Sequence, residues 1–197
     1  MIRFAIGRPP GTLLLALALL ALGSAGAPAQ STAPGAGPDA PALALPNQRD
    51  PLPGVRTGGM PASPEAWRAL AEDGFRLFVD LRSEAEVTAE TRAAAEGAGL
   101  VYERVPVAGD ADLDLGSARA LHLLLDDPAR GPLVLACASG NRVGALIAVE
   151  RFWLHGESAE TALALGRSAG LTRLEPAVRQ LLGLPPLPPP EPAPPGP

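Results

Sequence analysis

Apolar positions in the middle of the chain switch between two periods. Residues 76–81 (RLFVDL) and 133–137 (LVLAC) are short, nearly unbroken apolar runs. That length and solidity suit strands buried on both faces. Residues 100–107 (LVYERVPV) alternate and are rich in valine, which predicts a third strand that Pro106 ends. Between and after these runs the apolar spacing is helical. Ser63 followed by Pro64 is an N-cap with proline at the first helical position. That helix is predicted to run through Trp67 and Leu70 and to stop at Gly74. Residues 84–97 are rich in Ala and Glu and predict a second helix. A third covers 116–125, with Ser117 as its cap. A fourth covers 142–155, with Val143, Leu146, Ile147 and Leu154 on its apolar side. Ser158 opens another, which Gly170 closes, and 175–182 form a last short helix. Strands alternating with helices predict an α/β fold: a single-domain three-layer sandwich, with a central mostly parallel sheet and helices on both faces.

Composition sharpens the boundaries. The 24 prolines crowd into 28–53 and 185–197, leaving few in between. A folded body over 55–184 is therefore expected between a Pro/Ala-rich linker (30–54) and a Pro-rich tail (185–197) of extended polyproline character. Residues 1–29 read as a signal peptide. Arg3 and Arg8 precede an apolar run at 12–22, and Ala27-Pro28-Ala29 fits a cleavage pattern before Gln30. The apolar run is short for a membrane span, although an uncleaved anchor is the alternative. The expected product is exported, in a bacterium to the periplasm, with no membrane span after cleavage near Ala29.

Charge and rare residues exclude several chemistries. Net charge is −5 with no basic stripe, so nucleic acid is not an expected partner. All 16 basic residues are arginine, which rules out a lysine nucleophile or Schiff base. One cysteine permits neither an internal disulfide nor a cysteine-rich zinc site. Two histidines, His122 and His155, are too few for a histidine-based metal centre, and no cofactor or metal is expected. Trp67 and Trp153 lie among apolar neighbours at helical spacing and read as core.

The chemistry concentrates in 133–144. A buried strand ends at Cys137, a tight loop (Ala138, Ser139, Gly140, Asn141) follows, and Arg142 opens a helix. α/β folds place their sites at this C-terminal edge of the sheet. Gly140 lets the loop curl, and a loop entering a helix turns successive N–H groups inward as an anion nest. A thiolate is stabilised in such a nest, and Arg142 can grip an oxyanion through two parallel hydrogen bonds. The plain alternative is a buried structural cysteine with a solvated arginine.

The segments VDLRSEAE, VPVAG and CASGNRVGAL resemble the bacterial beta-lactamase-hydrolase-like phosphatase family, a branch of the dual-specificity tyrosine phosphatase fold. RTGGMP followed by SPEAWRALAEDGFR is similar to that family's start, where glutamine is more usual at Met60. AGLTRLEPAV is similar to its C-terminal helix. The resemblance covers residues 55–182. It implies that Cys137 attacks phosphorus while Arg142 and the 138–141 backbone hold the oxygens. It also implies a general acid, an Asp on the loop after the strand ending at Val107. Asp110, Asp112 and Asp114 are available there, and Asp110, the first, is the favoured choice. The alternative is a solvated acidic loop with Asp114 near a helix start.

The sequence departs from the phosphatase pattern in three places. Only four residues separate Cys137 from Arg142, where tyrosine phosphatases have five. This shorter spacing is that of rhodanese-type sulfurtransferases, and Asp80-Leu81-Arg82 is similar to a rhodanese Asp-x-Arg element. Asp80 and Arg82 are expected to pair with each other or to brace the cysteine loop. Ala136 stands where a histidine often precedes the cysteine, and Val143 where a hydroxyl residue often follows the arginine. Three readings stay open. The first is an exported cysteine-dependent hydrolase of phosphate esters. The second is a rhodanese-like sulfurtransferase carrying a persulfide on Cys137. The third is a non-catalytic module binding an anion or phospho-ligand. Each takes a small anionic ligand, and none fixes the oligomeric state.

Overall fold

The computed structural model describes residues 44–188. The expected signal peptide, most of the expected linker and the end of the proline-rich tail lie outside the described residues. Five strands form one sheet: β1 (Arg49–Leu52), β2 (Val55–Gly58), β3 (Leu77–Asp80), β4 (Val101–Arg104) and β5 (Leu133–Ala136). Six α-helices accompany them: α1 (Pro64–Glu72), α2 (Ala89–Gly97), α3 (Leu115–Leu125), α4 (Asn141–Leu154), α5 (Ala159–Ser168) and α6 (Glu175–Leu181). The spatial order is β1-β2-β5-β3-β4. All neighbours are parallel except the β1–β2 hairpin. Among the described residues no helix is long and apolar enough to cross a membrane.

The three layers follow from the strand period of two. Leu77, Val79, Leu133 and Leu135 point to one face and pack with Leu121, Leu146, Leu163 and Val178 from α3 to α6. Phe78, Tyr102, Val134 and Ala136 point to the other and pack with Trp67, Leu70 and Ala95 from α1 and α2. Trp67 joins this second core as expected, its ring centroid 4.5 Å from that of Phe78. Trp153 packs against the first. Helix α4 is central: every residue from Val143 to Glu150 is buried. It touches α5 at backbone distance. A Cβ on Gly144 would lie 2.2 Å from the Leu171 nitrogen and 2.4 Å from the Gly166 carbonyl oxygen.

The structure differs from the sequence reading at the start of the body. Residues 49–52 fall within the expected linker yet form the edge strand β1, and Leu45 is fully buried. Pro51 and Pro53 disguise the strand, but an edge tolerates proline because one side of its backbone is unpaired. β2 also escaped the apolar pattern. Its buried Thr57 donates its hydroxyl to the Ala169 carbonyl at 3.0 Å, so a polar residue occupies an interior position at no hydrogen-bonding cost.

Two helix starts also move. The stretch expected as one helix over 84–97 divides into a 3-10 turn at Glu84–Glu86 and helix α2. The Ser83 N–H and hydroxyl both donate to the Glu86 carboxylate, at 2.9 and 2.7 Å. That closes the turn, and Val87 then runs extended. Helix α3 is capped by Asp114, whose Oδ1 accepts from the Ser117 N–H at 2.8 Å, and not by Ser117. The Ser117 hydroxyl instead donates back to the Asp112 carbonyl at 2.6 Å.

Candidate active site

The parallel pairing of β2, β5 and β3 brings the chain to the sheet's C-terminal edge at three adjacent points. The Cys137 N–H donates to the Gly58 carbonyl at 3.2 Å, and the Leu81 N–H to the Ala136 carbonyl at 2.8 Å. Cys137 is therefore fixed at the tip of the central strand, 1% exposed. The loop then turns back over it. Gly140 adopts φ +89°, a left-handed conformation that favours glycine, and its N–H donates to Cys137 Sγ at 3.1 Å. The four-residue spacing thus yields a working turn, with the sulfur accepting a loop N–H at the start of α4.

Asn141, the first residue of α4, locks this turn to the far side of the cleft. Its Oδ1 accepts from the Thr172 N–H (2.8 Å), the Thr172 hydroxyl (3.1 Å) and the Leu174 N–H (3.2 Å). The asparagine side chain is thereby a positioning group. Arg142 follows, with its guanidinium near enough to Cys137 for the two to interact. Its two terminal nitrogens donate to the two oxygens of Glu86, at 2.6 and 2.7 Å, and one also donates to the Val107 carbonyl at 3.1 Å. These bonds from Arg142 are the main reason the Glu86 carboxyl sits well below the usual carboxylate range, against the opposing effect of burial. The bonds to Glu86 in turn raise the Arg142 guanidinium, against the opposing effect of burial, and the nearby Cys137 adds to the rise. Arg142 is a permanent cation of the site, and Glu86 is ionised.

Asp80 and Arg82 hold this arrangement from behind. Asp80 is fully buried and accepts from the Arg82 guanidinium at 2.8 Å, the Arg82 N–H at 2.8 Å and the Tyr102 hydroxyl at 2.9 Å. Arg82 also donates to the Glu86 carbonyl at 3.2 Å and to Thr91 at 3.1 Å. The chain Asp80–Arg82–Glu86–Arg142 therefore braces the arginine, not the cysteine loop directly.

These groups surround an open cavity of about 460 Å³. Cys137, Ala138, Ser139, Asn141 and Arg142 all line it, together with Glu86, Ala108, Gly109, Arg173 and Leu174. Gly140 contributes its N–H to the sulfur. Asp110 is placed differently. It is exposed in a 3-10 turn (Asp110–Asp112), and its Oδ1 accepts from the adjacent Ala111 N–H at 3.1 Å. It follows the lining Gly109 but does not itself line the cavity. Asp112 accepts from the Ala108 N–H at 2.6 Å, and Asp114 caps α3. Two charged lining residues, Glu86 and Arg173, were not picked out by the sequence reading. Ser83 and Glu86 at capping-box spacing were a legible signal for an ordered turn there. Nothing local marked Arg173, which lies between Thr172 and Leu174, the residues that Asn141 holds from 31 and 33 positions away.

No family model matches the sequence, and no characterised protein matches it significantly. Solved structures do match. A DUF442 protein of Shewanella putrefaciens, proposed to be a phosphatase, superposes with a TM-score of 0.55 at 15% identity, covering 71% of this chain and 90% of its own. The core catalytic domain of the PP-IP phosphatase Siw14 of S. cerevisiae, in complex with citrate, superposes at 0.53 with 21% identity, covering 70% and 84%. A cysteine-to-serine variant of TpbA of P. aeruginosa, in complex with pTyr, superposes at 0.52 with 17% identity, covering 70% and 84%. The fold is that of the tyrosine-phosphatase-like cysteine phosphatases.

Proposed function

We propose that the protein is a cysteine-dependent phosphatase-like hydrolase of small phosphate esters. One observation carries the reading: Cys137 Sγ lies under an inward-turned loop N–H, in a cavity shared with the forked guanidinium of Arg142. The thiolate attacks phosphorus, the S–P bond forms, and the ester P–O bond breaks. Arg142 and the 138–141 backbone hold the non-bridging oxygens, with the incoming anion competing with Glu86 for the guanidinium. Water then hydrolyses the thiophosphoryl group. Glu86 is ionised and so holds Arg142 instead of supplying the proton. Asp110 supplies it, its carboxylate turning from the Ala111 amide toward the cavity beside Gly109. Export to the periplasm remains part of this proposal; a mature chain beginning at Gln30 would support it, and an intact N-terminus in the purified native protein would refute it.

The test is hydrolysis of p-nitrophenyl phosphate by the wild type and by Cys137→Ser. Loss of turnover in the variant supports the thiol mechanism, and equal turnover refutes it. A second reading is favoured by the four-residue loop, which offers one N–H fewer than a tyrosine phosphatase loop. In that reading Cys137 accepts sulfane sulfur from thiosulfate, releasing sulfite, and passes it to a thiol. A gain of one sulfur in the intact mass would support it, and an unchanged mass would exclude it. Saturable phosphate binding with neither activity would leave an anion-binding module.

A further inference from the structure

The two histidines, far apart in sequence, meet on one buried carboxylate. Glu150 lies on α4 and is fully buried. Its Oε1 is 2.9 Å from His122 Nδ1, on α3, and 2.8 Å from His155 Nε2, just past the end of α4. The three atoms lie within 4.8 Å of one another. Both imidazoles remain partly open to solvent, at 29% and 24% side-chain exposure. Glu150 is the tenth residue of α4, more than two turns from the end of that helix at the cleft.

We propose that His122, Glu150 and His155 bind a divalent cation of the zinc class. Two neutral imidazole nitrogens and one carboxylate oxygen form a donor set suited to that ion. Metal–ligand bonds of about 2.0–2.1 Å in tetrahedral geometry separate ligand atoms by about 3.3 Å. The two nitrogen–oxygen spacings need to open by only about half an ångström, which rotation of two partly exposed rings can supply. Asp126 stands beside them, Oδ2 at 3.6 Å from His122 Nε2 and Oδ1 at 3.7 Å from His155 Nε2. It is placed to orient His122 when Nδ1 coordinates, as carboxylates do behind metal-bound histidines. The second oxygen of Glu150 is buried and faces the Arg151 guanidinium, Nε at 3.3 Å, in an ion pair whose two atoms make no hydrogen bond. A fully buried carboxylate is costly unless cations meet it, and a metal ion at Oε1 adds one. Arg151 is the competing cation in the protein itself. The two histidines alone were too few for a centre; the fold adds the third ligand as a buried glutamate that no local pattern marks.

The experiment is calorimetric titration of the purified protein with zinc chloride, paired with the visible spectrum of the cobalt form. Cys137 is the other group able to take zinc, so both are repeated in Cys137→Ser. One ion per chain is expected, retained in Cys137→Ser, with a nitrogen- and oxygen-ligated cobalt spectrum. His155→Asn and His122→Gln are each expected to weaken binding at least about tenfold. Their near-ultraviolet dichroism should match the wild type. Glu150→Gln is avoided as the deciding variant because its burial puts folding at risk. Absence of binding at millimolar metal, loss of binding in Cys137→Ser, or indifference to both histidine substitutions would overturn the site. None of these outcomes bears on phosphate hydrolysis at Cys137.

Discussion

Gly144→Ala separates what a helix prefers from what this packing permits. Alanine is the better helix former by about 1 kcal/mol, so propensity alone predicts a gain. The structure predicts the opposite. The new methyl would sit 2.2 Å from the Leu171 nitrogen, 2.4 Å from the Gly166 oxygen and 2.9 Å from the Leu171 Cα. All three are backbone atoms, so no side chain can swing aside. Relief requires α5 and the following turn to move by more than about an ångström, to the separations of ordinary contact. The Leu171-to-Gly166 backbone hydrogen bond lies in the path of that movement. Overpacking of this kind costs about 1–3 kcal/mol, and a clash with backbone on two sides belongs at the upper end. After the propensity gain, a net loss of about 2 kcal/mol is expected. Gly97→Ala in α2 is the control. Its Cβ would meet nothing within 4 Å, so it should be neutral or stabilise by about 0.4–1 kcal/mol. Urea unfolding followed by tryptophan fluorescence reads both. The displaced turn carries Thr172, Arg173 and Leu174, so Gly144→Ala should also lower turnover in the fully folded fraction. Equal stability of the wild type and Gly144→Ala would refute the reasoning.

Asp110→Asn tests the general acid: turnover of an alkyl phosphate should fall about 10²–10⁴-fold while an aryl ester with a good leaving group is largely spared, and an equal effect on both would remove Asp110 from that role. Glu86 has a folded-state pKa depressed below its ordinary 4.5, chiefly by the Arg142 hydrogen bonds. The stability it contributes is therefore present above pH 4.5 and lost as pH falls through the depressed value. The wild-type urea midpoint should exceed that of Glu86→Gln at pH 6 and converge on it in acid; a constant difference would contradict the pairing. Tyr102 is the sole tyrosine, so its titration is directly visible by ultraviolet absorbance. Burial first, then the bond to Asp80, pushes it up to about 12. The neutral phenol is the form the fold favours, so its contribution is present below pH 10 and lost as pH rises through 12; a midpoint near 10 in the folded protein would disprove it.

The central strands, most helices and the cysteine loop were legible in the chain's local patterns. Those features are local. The runs around Phe78 and Val134 are solidly apolar because both sheet faces are covered. Ser63-Pro64 and Ser158 cap their helices with their own side chains. Cys137, Gly140 and Arg142 lie within one turn, so their order states their chemistry. The edge hairpin was hidden because β1 carries proline and β2 hides Thr57 behind a hydrogen bond to Ala169. What surrounds the cysteine came from long-range packing. Parallel pairing set Glu86 against Arg142 from 56 residues away, and Asn141 drew Thr172 and Leu174, with Arg173 between them, to the cleft across 31 residues or more. It also left Asp110 on its own turn and gathered His122 and His155 on Glu150. Such contacts depend on which helix faces which strand, and that is settled by the summed burial of both cores and not by any short pattern.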